Sequence, residues 1–417
     1  MLRGPFKRFP RMSALDHQGR AVQRRLKLPE FIAMLAFLFA TVAFSIDAML
    51  PALPQIAAEM TPGNVNRAQL ILSAFMVGMG AGTLFSGPIS DAIGRKAGIT
   101  LGFGIYILGT MLALLSHTLE MLLFARFIQG LGASGPRIVG LALVRDLYQG
   151  RQMARITSIV MLVFIMIPAL APLLGAGVIW LAGWQGVFVA FLIFGLTCTL
   201  WLNLRQPETL APHDRRPLRL PVLAASAREV LSDRQVMFCT FILTLGFGQM
   251  FAMLASAQQL FGEAYGKGDQ FPLWFAAMAI LSGSGTLLNA VFVVRFGMRR
   301  IARWAYGMQI CVSGLMLVLL LAELLPPVLQ FPAFFIWAVS LFFMAGVTFG
   351  NLNALAMQRM GHIAGMTASV VAAISTLASL LIAVPVGLLY DGTAVPVVGA
   401  ALFCSGLAFY LMRHLDD

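Results

Sequence analysis

The feature that most constrains this chain is a series of long apolar stretches that recur from one end to the other. Each stretch holds about 20 residues, the length that an α-helix needs to cross about 30 Å of hydrocarbon. Only 11% of the residues are charged, whereas an ordinary soluble protein carries roughly a quarter. The recurring stretches and the shortage of charge together predict an all-α membrane protein.

Hydropathy, turn residues and charges divide the chain into twelve predicted transmembrane helices. We place them at 29–51, 67–89, 97–116, 120–144, 154–179, 184–204, 236–259, 271–294, 300–322, 330–353, 363–389 and 394–412. The longest polar segment is a linker, 205–235, which lies near the midpoint. It separates two six-helix halves, 29–204 and 236–412, while a basic N-terminal segment, 1–28, and a short tail, 413–417, complete the chain.

The positions of the basic residues indicate how the predicted bundle is oriented. Cytoplasmic loops retain Lys and Arg, and most of these residues fall on one set of loops, together with the linker and both termini. The opposite loops contain only Arg67 and Lys267. We therefore expect a multi-pass protein of the cell's inner membrane with both termini in the cytoplasm. The net charge of +12 belongs to these loops, which carry no nucleic-acid-binding motif.

The two halves repeat one loop. GPISDAIGRK, residues 87–96, ends predicted helix 2, and about 203 residues later LNAVFVVRFGMR ends predicted helix 8. Parallel repeats with a substrate path between the halves are a common plan among transporters. The matching positions are Gly94 with Gly297, Lys96 with Arg299, and Asp91 with Val294.

The loop at 87–96 resembles the signature loop of the major facilitator superfamily, G-x-x-x-D-x-x-G-R-K/R. It matches at every defining position: Gly87, Asp91, Gly94, Arg95 and Lys96. The resemblance implies the major facilitator fold and a charge latch that holds the inner ends of the halves together while the cavity faces outward. Since Val294 replaces the acid, it implies a single latch. From the residues alone, Arg95 and Lys96 are equally explained as topology anchors, whereas Asp91 needs a positive partner.

Further stretches resemble the Bcr/CflA branch of drug:proton antiporters, the branch of bicyclomycin and chloramphenicol resistance. SIDAMLPALPQIAAEM (45–60) is similar to the D-x-x-L-P-A-L-P-x-I-A pattern of that branch, and RFIQGLGA, from Arg126, to the family's helix 4 motif. PALAPLLGAGV (168–178) resembles the helix 5 antiporter motif, although Pro168 stands at its first glycine and Ala176 interrupts its final pair. The motif residues kept for that helix are Pro168, Pro172, Gly175 and Gly177.

Asp47 is the one acid that we place well inside a predicted span. A charge at the bilayer centre costs about 2.5–3.5 kcal/mol on insertion scales. One explanation is a helix-end acid that water reaches, because Pro51 follows one turn later. The explanation that we favour is a carboxyl that binds and releases a proton as the cavity alternates between the two sides.

Two arginines of predicted helix 4 lie in the same membrane region. Helices 1 and 4 run in opposite directions, so Arg126 falls at a depth comparable to Asp47. We expect it to be the electrostatic partner of the protonation site, which the resemblance also implies. Arg137 follows eleven residues later, within about 20° of the same helical face, and Gln129 lies one turn below Arg126. Arg137 either pairs with the substrate or reaches an interface or a helix carbonyl.

Aromatic and amide side chains inside the spans are the other candidates for a substrate cavity. Flat apolar compounds suit aromatic walls, while buried amides more often tie helices together. With Gln129 and Arg137, the predicted set comprises Phe44, Phe75, Phe164, Gln249 and Asn353. Small residues four apart, Gly78 with Gly82 and Gly130 with Ser134, predict close contact between helices instead.

These observations predict an exporter, and not an enzyme, that moves small, largely hydrophobic compounds outward in exchange for protons. No G-x-x-x-x-G-K-[ST] segment is present, so we expect the proton gradient to supply the energy. We expect no cofactor, no metal and no nucleic acid, and a monomer in the lipid bilayer. The alternatives are a metabolite exporter or proton symporter on the same fold, a sensor that no longer transports, and a membrane-embedded enzyme, which would need an acid/base or metal cluster.

Overall fold

The computed structural model describes residues 26–148, 150–215, 217–218, 220–358, 360 and 363–415. Within them the chain is helical, which confirms the predicted all-α membrane fold. In this part of the chain, eleven helical stretches are long and apolar enough to cross a membrane, and a kink divides one of them, which gives twelve membrane helices in two halves. The helices are α1, Leu28–Asp47; α2, Leu70–Ile93; α3, Arg95–Leu114; α4, Leu119–Leu147; α5 and α6, 150–181 and 184–205; α7, Arg234–Gln259; α8, Phe271–Phe296; α9, Met298–Leu321; α10, Pro327–Met357; α11, Ala364–Leu388; and α12, Val395–Leu411.

The break between α5 and α6 is a kink inside one helical stretch, Gly150–Arg205. Ala182 and Gly183 leave the helical conformation there, and Gly183 adopts a positive φ of 67°. Other ends follow from local sequence: Thr118 and Asp233 cap the starts of α4 and α7 by accepting hydrogen bonds from the backbone N–H groups of Met121 and Val236. Such caps satisfy donors that the first turn leaves open.

The repeated loops adopt the same backbone conformation in both halves. Gly94 ends α2 with φ 107° and ψ 156°, and Gly297 ends α8 with φ 81° and ψ 153°. The basic residue that follows each glycine by two positions bonds to the end of the sixth helix of its half. Lys96 Nζ donates to the carbonyl of Asn203 in α6 at 2.8 Å, and Arg299 donates to the carbonyls of Met412 and Arg413 after α12. Cations stabilise the carbonyl ends of helices, so the sequence repeat corresponds to a repeated contact.

Glycines bring α2 and α4 into backbone contact. A Cβ atom added at Gly78 would collide with the carbonyl of Phe127, and one added at Gly130 would collide with the carbonyl of Phe75. On the other side of α4, a Cβ at Gly102 would lie 2.9 Å from the carbonyl of Gly132. The predicted small-residue contact is therefore present, and it fixes α4 tightly between α2 and α3.

The two halves meet through α2 with α11 and through α5 with α8. At the predicted outer end, the Asn66 side chain donates to the carbonyls of Leu388 and Tyr390, at 3.2 and 2.9 Å. Gln259, at the end of α7, donates to Asn66 at 2.8 Å and accepts from Gln69. Hydrogen bonds thus tie the halves together at this end.

The linker, predicted as a polar segment, contains a helix of its own, Leu220–Ser232. This helix packs on α7 and α11. The stretch before it, beginning with Gln206, turns back along the first half, where Glu208 reaches the start of α3.

Candidate functional site

Arg126 is the centre of a buried polar network between α1, α2, α3 and α4. Its side chain has no exposed surface. The guanidinium donates to the carbonyls of Ser45 and Ile71, at 3.0 and 3.4 Å, and to Oε1 of Gln129 at 2.5 Å. It also lies over the ring of Phe75, 4.5 Å from the ring centre. A buried charge needs such a full set of partners, and here they come from three helices.

The network continues into α3. Gln129 donates to the hydroxyl of Thr110 at 2.8 Å, and the hydroxyls of Ser45 and Tyr106 are hydrogen-bonded at 2.7 Å. Tyr106, Thr110 and Ser45 are all fully buried. These three residues carry no signal in the sequence, because a Ser, Thr or Tyr inside an apolar span is common and only its neighbours in space distinguish it.

Asp47 is the last residue of α1 and is only 4% exposed. With the described residues its carboxyl forms no ion pair, and Arg126 reaches the carbonyl of Ser45 instead. The structure therefore brings Arg126 to α1 two residues before Asp47, and its role as the electrostatic partner of Asp47 stays a prediction.

The helix 5 motif packs beside Asp47. A Cβ added at Gly175 would collide with the carbonyl of Ala48, the residue after Asp47. Gly175 and Pro172 are buried, Pro168 is half-buried, and Gly177 is exposed with open space around it. Glycine at 175 thus lets α5 approach the end of α1, which encloses the acid.

A related network occupies the second half, with tryptophan in place of the charge. Trp337 of α10 is buried, and its indole N–H donates to the hydroxyl of Ser313 at 3.0 Å. Ser313 stands in α9 at the same offset from Thr110 as Gly297 from Gly94. Gln309 donates to Ser313 and accepts from Ser340. Of these two related networks, only the one in the first half therefore contains a buried cation, Arg126.

Arg137 differs from Arg126 although both lie on one stripe of α4. Its side chain is part-exposed, and Nη1 lies 3.9 Å from the sulfur of Met79 on α2. No carboxylate of the described chain lies within ion-pair distance of it. Helical periodicity places the two arginines on the same face of α4, but neighbouring helices bury only Arg126 completely.

The loop at 87–96 forms a compact charge cluster. Arg95, which is 9% exposed, donates to Asp91, to the hydroxyl of Ser90 at 2.8 Å and to Asp146 at the end of α4 at 3.0 Å. Asp91 thus has the positive partner that it needs. The Glu208 carboxylate accepts from the backbone N–H groups of Arg95 and Lys96, at 2.8 and 3.1 Å.

All these bonds of Asp91, Arg95 and Lys96 remain within the first half and the linker. The latch across the halves that the resemblance implies stays a prediction for another conformation. Gly87 faces the second half, since a Cβ there would lie 3.9 Å from the hydroxyl of Ser369. In the second half, Val294 is 89% exposed, so no latch replaces the missing acid there.

The remaining cavity candidates have mixed surroundings. Phe44 packs on Phe191 and Phe194 of α6, with ring centres 5.3 Å from each. Phe75, Gln129 and Gln249 have no exposed surface, and Gln249 accepts from the hydroxyl of Ser405. Asn353 is part-exposed and donates to the carbonyl of Phe349. The side chain of Phe164 lies outside the described part of the structure. Their contact with a substrate remains a prediction.

A cavity of about 730 Å³ lies at the predicted outer end between the halves. Gln69, Gln259, Glu263 and Asp269 line it, together with apolar residues of α5 and of the segment after α1. None of the predicted cavity residues lines this space. The sequence does not reveal this cavity, because the residues that line it come from helix ends and loops of ordinary composition.

Comparisons with known proteins agree with this architecture. The sequence model described as Major Facilitator Superfamily matches residues 35–384. The uncharacterized MFS-type transporter YdgK of Bacillus subtilis is 30% identical over 404 residues, which are 93% of this chain and 96% of that protein. The bicyclomycin resistance protein homolog of Haemophilus influenzae is 28% identical over 390 residues, or 92% of this chain and 96% of that one.

Shorter and more distant matches point the same way. The multidrug resistance protein MdtL of Escherichia coli is 35% identical over 161 residues, 38% of this chain and 40% of that protein. The partially occluded, inward-open structure of the xylose transporter XylE of Escherichia coli superposes with a TM-score of 0.72 at 12% identity. It covers 94% of this chain and 98% of that one. At this identity the likeness to XylE concerns the fold alone.

Proposed function

The chain belongs to the major facilitator superfamily and is a membrane transporter rather than an enzyme, and from this premise we propose that it exports small, largely hydrophobic drugs in exchange for protons. We place it in the inner membrane as a monomer, with both termini in the cytoplasm. The loops rich in Lys and Arg support this orientation.

One observation carries the proton coupling. The apolar stretch that holds Asp47 continues beyond α1 to Met60, and away from the ends of such stretches Asp47 is the only acid. It is buried, and no cation of the described chain pairs with it. Burying an unpaired charge is costly, so a carboxyl in this place is suited to take up a proton in one state and release it in another. Gly175 of the helix 5 motif covers the adjoining backbone.

The class of substrate rests on relatives. Two of them are named for resistance, one to bicyclomycin and one to several drugs, and the motif at 45–60 resembles the Bcr/CflA branch. Aromatic side chains that are part-exposed, such as Phe44, can offer apolar contact to flat compounds. We therefore favour drug-like compounds over sugars or amino acids.

The experiment uses purified protein in liposomes with three dyes of different charge: rhodamine 6G, fluorescein and Nile red. A proton gradient is imposed, and dye movement and internal pH are recorded together. The proposal requires at least one dye to move uphill, opposite to the protons. Protons that move in the same direction as the dye would make the protein a symporter. Dye movement that does not depend on the proton gradient would contradict proton coupling.

Asp47→Asn tests the proposed proton carrier. This variant should lose gradient-driven accumulation while retaining exchange of labelled for unlabelled dye, since exchange needs no net proton transfer. Glu120→Gln is the matched control, because Glu120 is an exposed acid that pairs with Arg67 at the surface. If Asp47→Asn accumulated dye like the wild type, the proton would have to bind elsewhere.

A further inference from the structure

Arg137 is a charged side chain deep in a membrane helix whose partners are incomplete. A guanidinium offers five N–H donors, yet within the described part of the chain the one acceptor at hydrogen-bond distance from Arg137 is the sulfur of Met79, at 3.9 Å. Arg126, on the same helix, has three oxygen acceptors and an aromatic ring. The same residue type is therefore satisfied at one position and left available at the other.

The charges inside the spans do not balance. Away from the ends of the apolar stretches that could cross a membrane, the first of which is Leu28–Met60, there are three charged residues, Asp47, Arg126 and Arg137. Even with Asp47 ionised, one positive charge remains, and a protonated Asp47 leaves two. Charges are costly at this depth, and intramembrane cations mark substrate or ion pathways more often than lipid contacts. Since the membrane spans contain no further acid away from their ends to balance these charges, an anion from outside the chain is the expected partner.

Arg137 lies on the side of the first half that faces the second. Its contact Met79 precedes Gly80, and a Cβ added at Gly80 would lie 2.9 Å from the Leu377 side chain of α11. The next residue, Ile138, lies near Gly87, whose other neighbour is Ser369 of α11. The α3 contact of α4 uses different residues, Gly132 and Pro136. Arg137, which is part-exposed as a residue, is therefore close to the interface between the two halves.

We propose that Arg137 binds the anionic group of exported compounds, so that carboxylates, sulfonates and phosphates on an apolar scaffold are preferred substrates. The planar guanidinium matches such groups with paired hydrogen bonds. Met79 and Ile138 offer apolar contact to the rest of the molecule. This inference rests on the proposed export function for its physiological meaning, and the interior-negative membrane potential favours outward movement of an anion.

The test compares two dyes that share a xanthene ring system, anionic fluorescein and cationic rhodamine 6G. Binding to purified protein in detergent is measured by fluorescence anisotropy, without any gradient. Arg137→Gln should weaken fluorescein binding about 10- to 100-fold, as expected for loss of a charged hydrogen bond, and leave rhodamine 6G within about twofold. Arg137→Lys should retain part of the affinity. Arg300→Gln, an exposed arginine at the start of α9, is the control and should bind like wild type.

The wild-type protein gives a second measurement that does not depend on a variant's folding. Benzoate should displace fluorescein, whereas benzamide, with the same ring and no charge, should not. No fluorescein binding by wild type, equal binding by Arg137→Gln, or equal displacement by the two benzoyl compounds would each overturn the proposal.

The outcomes separate this inference from the proposed function. Arg137-dependent binding of fluorescein without any proton-driven dye movement would sustain the anion site and remove the antiport. If protons drive the movement of rhodamine 6G but fluorescein binds equally well without Arg137, antiport is supported and the proposed anion site is contradicted.

Discussion

At the scale of single residues, Arg126 is the side chain whose removal leaves the most unsatisfied groups. Arg126→Ala strands the carbonyl of Ser45 and the amide of Gln129 in a buried place, and each such group costs about 1–3 kcal/mol. Arg126→Lys keeps the positive charge but loses the planar guanidinium with its several N–H donors. We expect thermal unfolding in detergent to rank wild type above lysine and lysine above alanine, with gradient-driven transport reduced in both variants. An alanine variant as stable as wild type would contradict the network.

Trp337 offers a comparison without charge. Trp337→Phe removes the indole N–H that reaches Ser313 and retains most of the apolar volume. A typical hydrogen bond contributes about 0.5–1.5 kcal/mol, so we expect a modest loss of thermal stability. Because no charge changes, dye accumulation should keep the pH dependence of wild type, recorded in the same liposome assay. A shifted pH profile would mean that the second-half network also takes part in coupling.

At the scale of elements, the glycines that end α2 and α8 form a matched pair. Both have a positive φ, which costs a residue with a Cβ about 1–2 kcal/mol. Only at Gly94 would that Cβ also collide with the carboxylate of Glu208, whereas Gly297 has open space. We expect Gly94→Ala and Gly297→Ala to lower thermal stability, and only Gly94→Ala to release the linker.

Limited trypsin digestion at Arg215 measures that release. Faster cleavage in Gly94→Ala than in Gly297→Ala is the expected result, because Glu208 anchors the start of the linker to the α3 N-terminus. Equal cleavage rates in the two variants would show that this anchor does not hold the linker.

At the scale of the whole molecule, the halves are tied at the predicted outer end through Asn66 and Gln259. If transport requires this end to open, a covalent tie should stop it. We expect Asn66→Cys with Gln259→Cys, joined by a short bismaleimide, to lose dye accumulation while each single variant stays active. Full activity of the cross-linked double variant, with the link verified by mass spectrometry, would show that the outer ends need not separate.

The amino-acid sequence alone is enough to predict the membrane helices, the division into halves and the family. These properties are local or repeated: a span needs only enough apolar residues in a row, and the loop at 87–96 carries its signature within ten positions. The shared face of Arg126 and Arg137 also followed from periodicity alone. Each of these predictions used residues close together in the chain.

Which of the polar side chains inside the membrane helices are buried by neighbouring helices can be seen only in the folded structure. Arg126 donates to the carbonyls of Ser45 and Ile71, which belong to other helices and lie far away in sequence. Among the residues that the structure describes, Arg137 has no such oxygen partners. Gln249, an expected cavity residue, is buried against Ser405 of α12. The physical reason is that lipid, cavity and protein interior all accept an apolar neighbourhood, so hydropathy cannot distinguish a side chain facing one from a side chain facing another. Packing between distant helices makes that distinction.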